Sequence, residues 1–136
     1  MAGDIDRVEC ILRETRSIAI VGVSADPMRP SHGVWRYLKS ATDYELYLVN
    51  PTLSEIDGDA VYPSLADLPV VPDLVDVFRR REHLHAVLTD TIAVGAKTLW
   101  LQQGLWDGEI AREGAAAGLQ VVMDRCIKVD HASLLG

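Results

Sequence analysis

The sequence predicts a doubly wound α/β fold in which a five-stranded parallel sheet is covered by helices on both faces. Short runs rich in Val, Ile and Leu alternate with segments whose apolar residues recur at helical spacing, an alternation typical of such sheets. The strand candidates are apolar almost throughout, as expected for strands buried on both faces. The length of 136 residues suits one domain, so we expect residues 1–136 to form a single domain.

The first half of the chain contains two helix candidates and two strand candidates. A helix follows Asp4, and its apolar stripe consists of Ile5, Val8, Ile11 and Leu12. The first strand is SIAIVGV, residues 17–23. Ser31 is expected to be the N-cap of the next helix. The second strand, YELYLVN, ends at Asn50-Pro51 because proline cannot continue a central strand.

The second half repeats the alternation. DGDAVYPSLADLP, residues 57–69, reads as a turn followed by a short helical segment, and DLVDVF, residues 73–78, is the third strand. A helix from about Arg81 to Val94 ends at Gly95 and turns Leu84, Val87, Leu88, Thr91 and Ile92 inward. The strand KTLWLQ, a helix over roughly 107–117 and the strand QVVMD follow, and the form of RCIKVDHASLLG stays open.

Right-handed crossovers between these strands predict the order 3-2-1-4-5, with the topological switch beside the first strand. Ligands of such sheets bind at the carboxyl ends of the strands near the switch. The residues that follow each strand are therefore the places where a site is expected.

Composition and charge exclude several classes of protein. The net charge of −7 argues against general nucleic-acid binding, which needs a basic face. MAGDIDRVEC is acidic and does not resemble a signal peptide, and no apolar run is long enough to span a membrane. Cys10 and Cys126 form no metal-ligand cluster, so we expect a cytoplasmic protein with reduced thiols and no metal.

The segment after the first strand has features of a phosphate-binding turn. Gly22 allows close approach of a ligand to the backbone, and the Ser24 hydroxyl can donate a hydrogen bond to it. The glycines of a dinucleotide fingerprint are replaced by Ser24 and Pro27. Pro30 favours an extended conformation at Arg29, which could aim the guanidinium at an anion. A plain strand-to-helix connection remains the alternative.

Two further strand ends bear on the ligand. Domains that bind NAD place a carboxylate after the second strand to hold the ribose, whereas this chain has Asn50. A phosphorylated ribose, as in NADP or coenzyme A, would not be repelled there. Arg79, Arg80 and Arg81 follow the third strand, and Arg79 is the best candidate of the three for contact with a ligand.

Taken together, the chain resembles the small single-domain CoA-binding proteins, which are Rossmann-like and related to the N-terminal domain of the succinyl-CoA synthetase alpha subunit. The resemblance runs from about Ser17 to Leu134 and rests on AIVGVSADPMRPSHGVWRYL, YLVNP, VYPSLADLP, DLVDVFRR, GAKTLWLQQG and AAGLQVVMDRCIKVDH. It implies binding of coenzyme A or an acyl-CoA, with the pyrophosphate at the first βα loop. The phosphohistidine domain of the synthetase has no counterpart, so the resemblance implies binding and not the ligase reaction.

The resemblance also implies which residues form the site. Those near the phosphates would be Gly22, Val23, Ser24, Arg29 and Ser31. The adenosine end would be bordered by Asn50 and Pro51. The cleft would be lined by Val77, Phe78 and Arg79, with Gln102, Gln103 and Gly104 on the side of the pantetheine arm.

Two alternatives come from other classes of protein. A thiol-dependent acyl-CoA or disulfide-exchange enzyme would use Cys126, which follows Arg125 and precedes His131 by five residues. An NADP-linked redox sensor would use Arg29 or Arg79 for the 2′-phosphate. The binding protein without catalysis of its own ranks first, and a homodimer or a protein partner remains open.

Overall fold

The computed structural model describes residues 2–136, so Met1, the first residue of the expected domain, lies outside the described residues. The helices are α1 (Ala2–Glu14), α2 (Pro30–Ala41), α3 (Leu84–Val94), α4 (Gly108–Ala116) and α5 (Ile127–Leu134). The strands are β1 (Ser17–Val21), β2 (Glu45–Val49), β3 (Glu55–Ile56), β4 (Asp59–Tyr62), β5 (Leu74–Val77), β6 (Thr98–Leu101) and β7 (Gln120–Val122). No described helix has both the length and the apolar character needed to cross a membrane.

The strands form one mostly parallel sheet in the order β3-β4-β2-β1-β5-β6-β7, which confirms the α/β class. The predicted strand count and order are wrong. Seven strands are described where five were expected, and DLVDVF, which contains β5, lies beside β1 and not beside β2. The partner of β2 on its outer side is β4, with Leu48 opposite Val61.

Of the two missed strands, β4 lies in the segment that reads as a turn, residues 57–69, and β3 lies directly before it. Asp57-Gly58 joins β3 to β4 in an antiparallel pair, and Pro63 closes β4 after four residues. The strand DAVY is short and only Val61 of its four residues is buried, so it lacks the continuous apolar run of a central strand. With β4 in place, the six parallel strands follow the Rossmann order 3-2-1-4-5-6, which moves the end of β5 next to the end of β1.

Helices cover the sheet on two sides, which we call the cavity face and the opposite face. The cavity face packs α1, α2 and α5 against side chains such as Ile18, Ile20 and Trp100. The opposite face packs α3 and α4 against Ala19, Val75 and other strand residues. These residues alternate along the strands with those of the cavity face. The sheet is therefore buried on both sides, as its apolar strands predict.

The helices differ from the prediction mainly at their ends. Helix α3 begins at Leu84 after a 3₁₀ turn over Arg81–His83, and its left-handed C-cap is Gly95, as predicted. Ile92, expected inward, is 39% exposed. The tail whose form was left open contains α5, which packs against α1 and α2.

Candidate functional site

A cavity of about 600 Å³ opens at the carboxyl ends of the parallel strands. It lies between the start of α2, the ends of β5 and β6, and the residue before α5. Its lining consists of Gly22, Ser24, Arg29, Pro30, Ser31, Val34, Phe78, Arg79, Arg80, Gln102, Gln103, Leu105 and Cys126. Eight of these were predicted as site residues: Gly22, Ser24, Arg29, Ser31, Phe78, Arg79, Gln102 and Gln103. The cavity therefore occupies the switch between β1 and β5, where ligands of doubly wound sheets bind.

Gly22 is required by the close packing of two strand ends. Its φ is +86°, and a Cβ built on it would lie 2.6 Å from the carbonyl oxygen of Phe78. The Phe78 N–H donates to the carbonyl of Val21 at 2.8 Å, so this backbone cannot move away cheaply. Gly22 thus allows the floor of the cavity to form from two adjacent strand ends.

The loop from Gly22 to Pro30 is held by its own polar groups. The Ser24 N–H donates to Ser31 Oγ at 2.9 Å, and Ser24 Oγ accepts from the Asp26 N–H at 3.0 Å. The Met28 N–H in turn donates to Asp26 Oδ1 at 2.9 Å. These hydrogen bonds fix the loop so that Ser24 lines the cavity beside Ser31 of α2.

The prediction that Ser31 is the N-cap of α2 is wrong. The N-cap is Arg29, which is extended at φ −85° and ψ 142° and makes no side-chain capping bond, and Pro30 is the first helical residue. Pro30 suits that position because its missing N–H is not needed there. The expected extended conformation of Arg29 is confirmed.

The cavity is lined by arginines in a chain of net negative charge. Arg29, Arg79 and Arg80 line it, and no carboxylate is found among the described residues that do so. Arg81 is used elsewhere, since its Nη2 donates to the carbonyl of Trp106 at 2.5 Å. Three arginines in the lining of one cavity favour an anionic ligand, although Arg80 Nη1 also lies 3.9 Å from Glu82 Oε1.

A second cavity of about 160 Å³ lies on the other side of Arg79. It is lined by Pro51 at the end of β2, by Pro63 and Leu65 after β4, and by residues of α3 that include Val87. Because Arg79 lines both cavities, a ligand that passes over it can contact both faces of the sheet edge.

Four predicted site residues line neither of these two cavities. Val23 and Val77 are fully buried in the core clusters of the two faces. Asn50 Nδ2 donates to the carbonyl of Val23 at 2.9 Å, and its Oδ1 accepts from the Thr52 N–H at 2.9 Å. These bonds tie the end of β2 to the loop that bears Ser24.

Gly104, the fourth of these residues, belongs to the loop after β6. Its φ is +91°, and its N–H donates to Asp124 Oδ1 at 2.7 Å. Gly104 therefore joins the loop after β6 to the loop after β7.

Sequence reasoning missed three lining residues, Pro30, Val34 and Leu105. It gave Arg80 only as a weaker candidate than Arg79, and Cys126 only as part of an alternative. Val34 lies one helical turn after Pro30, so the position of the helix start would have placed it beside the cavity. Leu105 gives no such signal, because its place depends on how the loop after β6 folds. Its N–H donates to the carbonyl of Gln102 at 2.9 Å.

A buried carboxyl group lies on the cavity face of β5. Asp76 is 0% exposed, is in register with Ile20 and Trp100, and neither of its oxygens has a hydrogen-bond partner among the described residues. Burial raises the pKa of Asp76 well above its usual value, because the charged form is poorly solvated there. Phe78, two residues further on the same side of the strand, lines the cavity.

The described residues contain no group of three or more His, Cys, Asp or Glu side chains that could hold a metal ion. The polar groups of the site are guanidinium, hydroxyl, amide and one thiol. This set can bind an anion and an amide-containing chain.

Comparison with known proteins decides the family. The sequence profile described as a CoA binding domain matches residues 16–132. The chain belongs to this CoA-binding family. The resemblance drawn from the sequence is thereby confirmed.

The proteins similar to this chain include one of comparable length and one that is much longer. The uncharacterized protein YneT of Bacillus subtilis (strain 168) is 40% identical over 122 residues, which cover 90% of each chain. The alpha subunit of acetate–CoA ligase (ADP-forming) II from Pyrococcus furiosus is 24% identical over 132 residues. That match covers 88% of this chain but only 29% of the subunit.

A solved structure has the same fold over almost the whole chain. The protein ID.343 from Thermus thermophilus superposes with a TM-score of 0.89 at 34% identity. The match covers 96% of this chain and 98% of that one.

Proposed function

We propose that this protein binds coenzyme A or an acyl-CoA in the 600 Å³ cavity, with the pyrophosphate beside Gly22 and Ser24. The observation that carries the proposal is a cavity lined by three arginines and no carboxylate among its described residues, in a member of the CoA-binding family. In a chain of net charge −7, such a local excess of positive charge favours an anionic ligand.

The start of α2 supports placing the phosphates there. Its first turn contains no acidic residue, and its N-cap is a cation without a side-chain capping bond. Pro30 has no N–H, and the N–H groups of His32 and Gly33 donate to the Arg29 carbonyl at 3.1 and 3.4 Å. The helix start therefore offers an anion the Ser31 N–H and the positive end of the helix dipole. Arg29 and Ser31 are therefore proposed as phosphate contacts, together with the backbone around Val23 and with Arg79.

The adenosine end of the ligand is proposed to lie toward the smaller cavity. Pro51 lines that cavity, and Arg79 lines both, so the nucleotide could cross the sheet edge over Arg79. Asn50 would act by holding the loop through the Val23 carbonyl. Val77 would act by positioning Phe78 and Arg79 at the end of β5.

The pantetheine arm is proposed to follow the larger cavity toward β6. Gln102 and Gln103 line that side, and Gly104 shapes the loop through its bond to Asp124. Val34, Phe78 and Leu105 give this cavity apolar walls, which suit the arm and a short acyl group.

We propose a ligand-binding function for a single domain over residues 1–136, without catalysis of its own. The match covers 29% of the ligase subunit, so most of that enzyme's length has no counterpart in this chain.

Isothermal titration calorimetry at low salt and under reductant tests the proposal. We expect saturable binding of CoA with one site, weaker binding of NADPH, and an affinity for CoA about tenfold to a hundredfold lower in Arg79→Gln, since a charged hydrogen bond contributes ~1.5–3 kcal/mol. Arg81→Gln is the matched control, because Arg81 belongs to the same run but contacts the Trp106 carbonyl outside the cavity. It is expected to bind CoA with an affinity within about twofold of the wild type.

Two results would contradict the proposal. One is the absence of heat and of thermal stabilisation with CoA, acetyl-CoA and longer acyl-CoA. The other is tighter binding of NADPH than of CoA, which would favour the redox-sensor interpretation.

A further inference from the structure

Cys126 is the only thiol among the described residues that line the 600 Å³ cavity. It is partly buried, extended at φ −89° and ψ 116°, and it precedes the first residue of α5. The cavity also contains the three arginines, so the thiol lies in a site for which charge and family both indicate a ligand. That ligand, coenzyme A, carries a thiol of its own at the end of its pantetheine arm.

The segment that presents Cys126 is held from three sides. Trp100 Nε1 donates to the carbonyl of Arg125 at 2.8 Å, and the Ile127 N–H donates to Gln102 Oε1 at 3.2 Å. Arg125 donates to both carboxylate oxygens of Asp130, at 2.6 and 2.9 Å. The backbone on both sides of Cys126 is thus held by the end of β6 and by the first turn of α5.

The distance between the two ends of the cavity suits the pantetheine arm. Gly22 follows β1, and Cys126 is held near the end of β6, where the Arg125 N–H lies 3.4 Å from the carbonyl of Leu101. Strands β1 and β6 are two spacings apart in the sheet, about 10 Å. The arm has the backbone length of about four residues and reaches about 14 Å when extended. A pyrophosphate at Gly22 therefore leaves the arm long enough to bring its sulfur to Cys126.

Cys10 provides a comparison within the same chain. It lies on α1, is exposed, and its Sγ donates to Glu14 Oε1 at 3.4 Å. This hydrogen bond and the charge of Glu14 raise the pKa of the Cys10 thiol, which lowers its thiolate fraction. Cys10 does not line the cavity and should show no preference for a CoA disulfide.

We propose that Cys126 forms a mixed disulfide with coenzyme A held in the cavity. The inference rests on the proposed function. The Cys126 thiolate attacks the CoA-bound sulfur of a CoA disulfide, CoA–S–S–R. The Cys126–S–S–CoA bond forms as the S–S bond to R breaks, and the leaving thiolate takes up the proton that Cys126 lost. No electron donor or acceptor beyond the disulfide is needed. Binding of the coenzyme thereby becomes covalent under oxidising conditions and reversible by any reducing thiol.

The test compares two disulfides on the reduced, full-length protein. CoA disulfide or oxidised glutathione is added at equal concentration, and adducts are followed by intact mass and assigned to Cys10 or Cys126 by peptide mapping. Holding the reactant in the cavity raises its effective concentration, so we expect the CoA adduct at Cys126 to form at least about tenfold faster than the glutathione adduct. The rates at Cys10 are expected to agree within about threefold, since both disulfides reach it from solution.

Competition and a variant give the matched controls. Adenosine 3′,5′-bisphosphate, which resembles the nucleotide end of CoA, and the substitution Arg79→Gln should each reduce the CoA preference at Cys126. The Cys10→Ser variant should keep it. Equal rates for the two disulfides at Cys126, or a CoA adduct mainly at Cys10, overturn the inference.

The calorimetry under reductant separates this failure from that of the proposed function. If CoA binds reversibly and Cys126 shows no preference, the mixed disulfide is excluded and the binding function stands. If CoA does not bind under reductant, both proposals fail.

Discussion

Helix α4, on the opposite face of the sheet, begins with a side-chain cap, whereas α2, on the cavity face, begins without one. Asp107 Oδ1 accepts from the Glu109 N–H at 2.9 Å and from the Ile110 N–H at 3.2 Å. The corresponding position of α2 is Arg29, which makes no such bond. Both helices start at the same edge of the sheet, so the difference comes from the residues and not from the topology.

The two faces also differ in the polar groups that they bury. On the opposite face, Thr91 is buried with its hydroxyl donating to the carbonyl of Val87 at 2.7 Å. On the cavity face, Asp76 is buried with no partner among the described residues. Groups left unsatisfied cost stability, and they collect where a fold serves a ligand. Among the described residues, Asp76 is the buried side chain whose polar atoms have no partner, and it lies two residues before Phe78 of the proposed site.

The largest effect is expected from Gly22→Ala, at the turn that sends α2 onto the cavity face. A Cβ there clashes with the Phe78 carbonyl at 2.6 Å and is strained by the positive φ. We expect a loss of about 3 kcal/mol in the free energy of unfolding, from strain and overpacking together. Urea denaturation measures it.

Gly58→Ala is the matched control for this substitution. Its φ is +87°, but nothing lies within 4 Å of a Cβ placed there. It should therefore show the strain alone, a loss of about 1–2 kcal/mol. Equal losses for the two variants would mean that the contact between the ends of β1 and β5 is not rigid.

The sequence predicts the central elements of the fold because their signal is local. Strand β1 is buried at each of its five positions, and α3 ends at a left-handed Gly95. The pairing of strands is not local, and this explains the wrong order. Strand β4 has four residues and one buried side chain, so its pairing with β2 and β3 makes it a strand.

An effect of intermediate size is expected from Asp76→Asn, because the raised pKa of Asp76 links folding to pH. The folded state keeps the proton that the unfolded state releases above a pKa of about 3.9, so the wild type loses stability as pH rises from there to the folded-state pKa. Within this window the asparagine variant should gain stability over the wild type by up to about 1.4 kcal/mol per pH unit. Urea denaturation at pH 4.5 and 6 should show that the advantage of the variant over the wild type grows with pH.

Asp73→Asn is the control, because the Asp73 carboxylate, unlike that of Asp76, accepts hydrogen bonds. Asp73 Oδ2 accepts from the Arg16 N–H at 2.9 Å and from the Ser17 N–H at 3.3 Å. Its replacement should lower the free energy of unfolding by about 1 kcal/mol at neutral pH, opposite in sign to Asp76→Asn. A stability difference between Asp76→Asn and the wild type that is independent of pH would show that Asp76 is not a buried, isolated acid.

The sequence predicts the lining residues that directly follow strands. It predicts less well the residues whose position depends on how a loop folds. Phe78, Arg79 and Gln102 come directly after their strands and line the cavity. Asn50 also follows a strand, but its amide is used within the protein, a choice between ligand and loop that the sequence does not reveal. Cys126 reaches the cavity because the loop after β7 folds back to Leu101, a contact that no spacing in the sequence indicates.

The smallest effects are expected from adding an N-cap side chain to α2 and removing the one of α4. Arg29→Asp gives α2 the kind of N-cap that Asp107 gives α4, on a backbone that is already extended. The new carboxylate can accept from the first turn, so we expect the free energy of unfolding to rise by about 1 kcal/mol. The same carboxylate should repel the phosphates of CoA and replace an exposed cation, which lowers the affinity about tenfold by calorimetry.

The reciprocal change tests whether the cap of a helix affects stability without affecting the affinity for CoA. Asp107→Ala should lower the free energy of unfolding by about 1 kcal/mol, because the cap of α4 is lost. The affinity for CoA should stay within about twofold of the wild-type value, since Asp107 does not line the cavity. If Arg29→Asp bound CoA as tightly as the wild type, the uncapped start of α2 would not be a phosphate site. The difference between the two faces would then be one of packing alone.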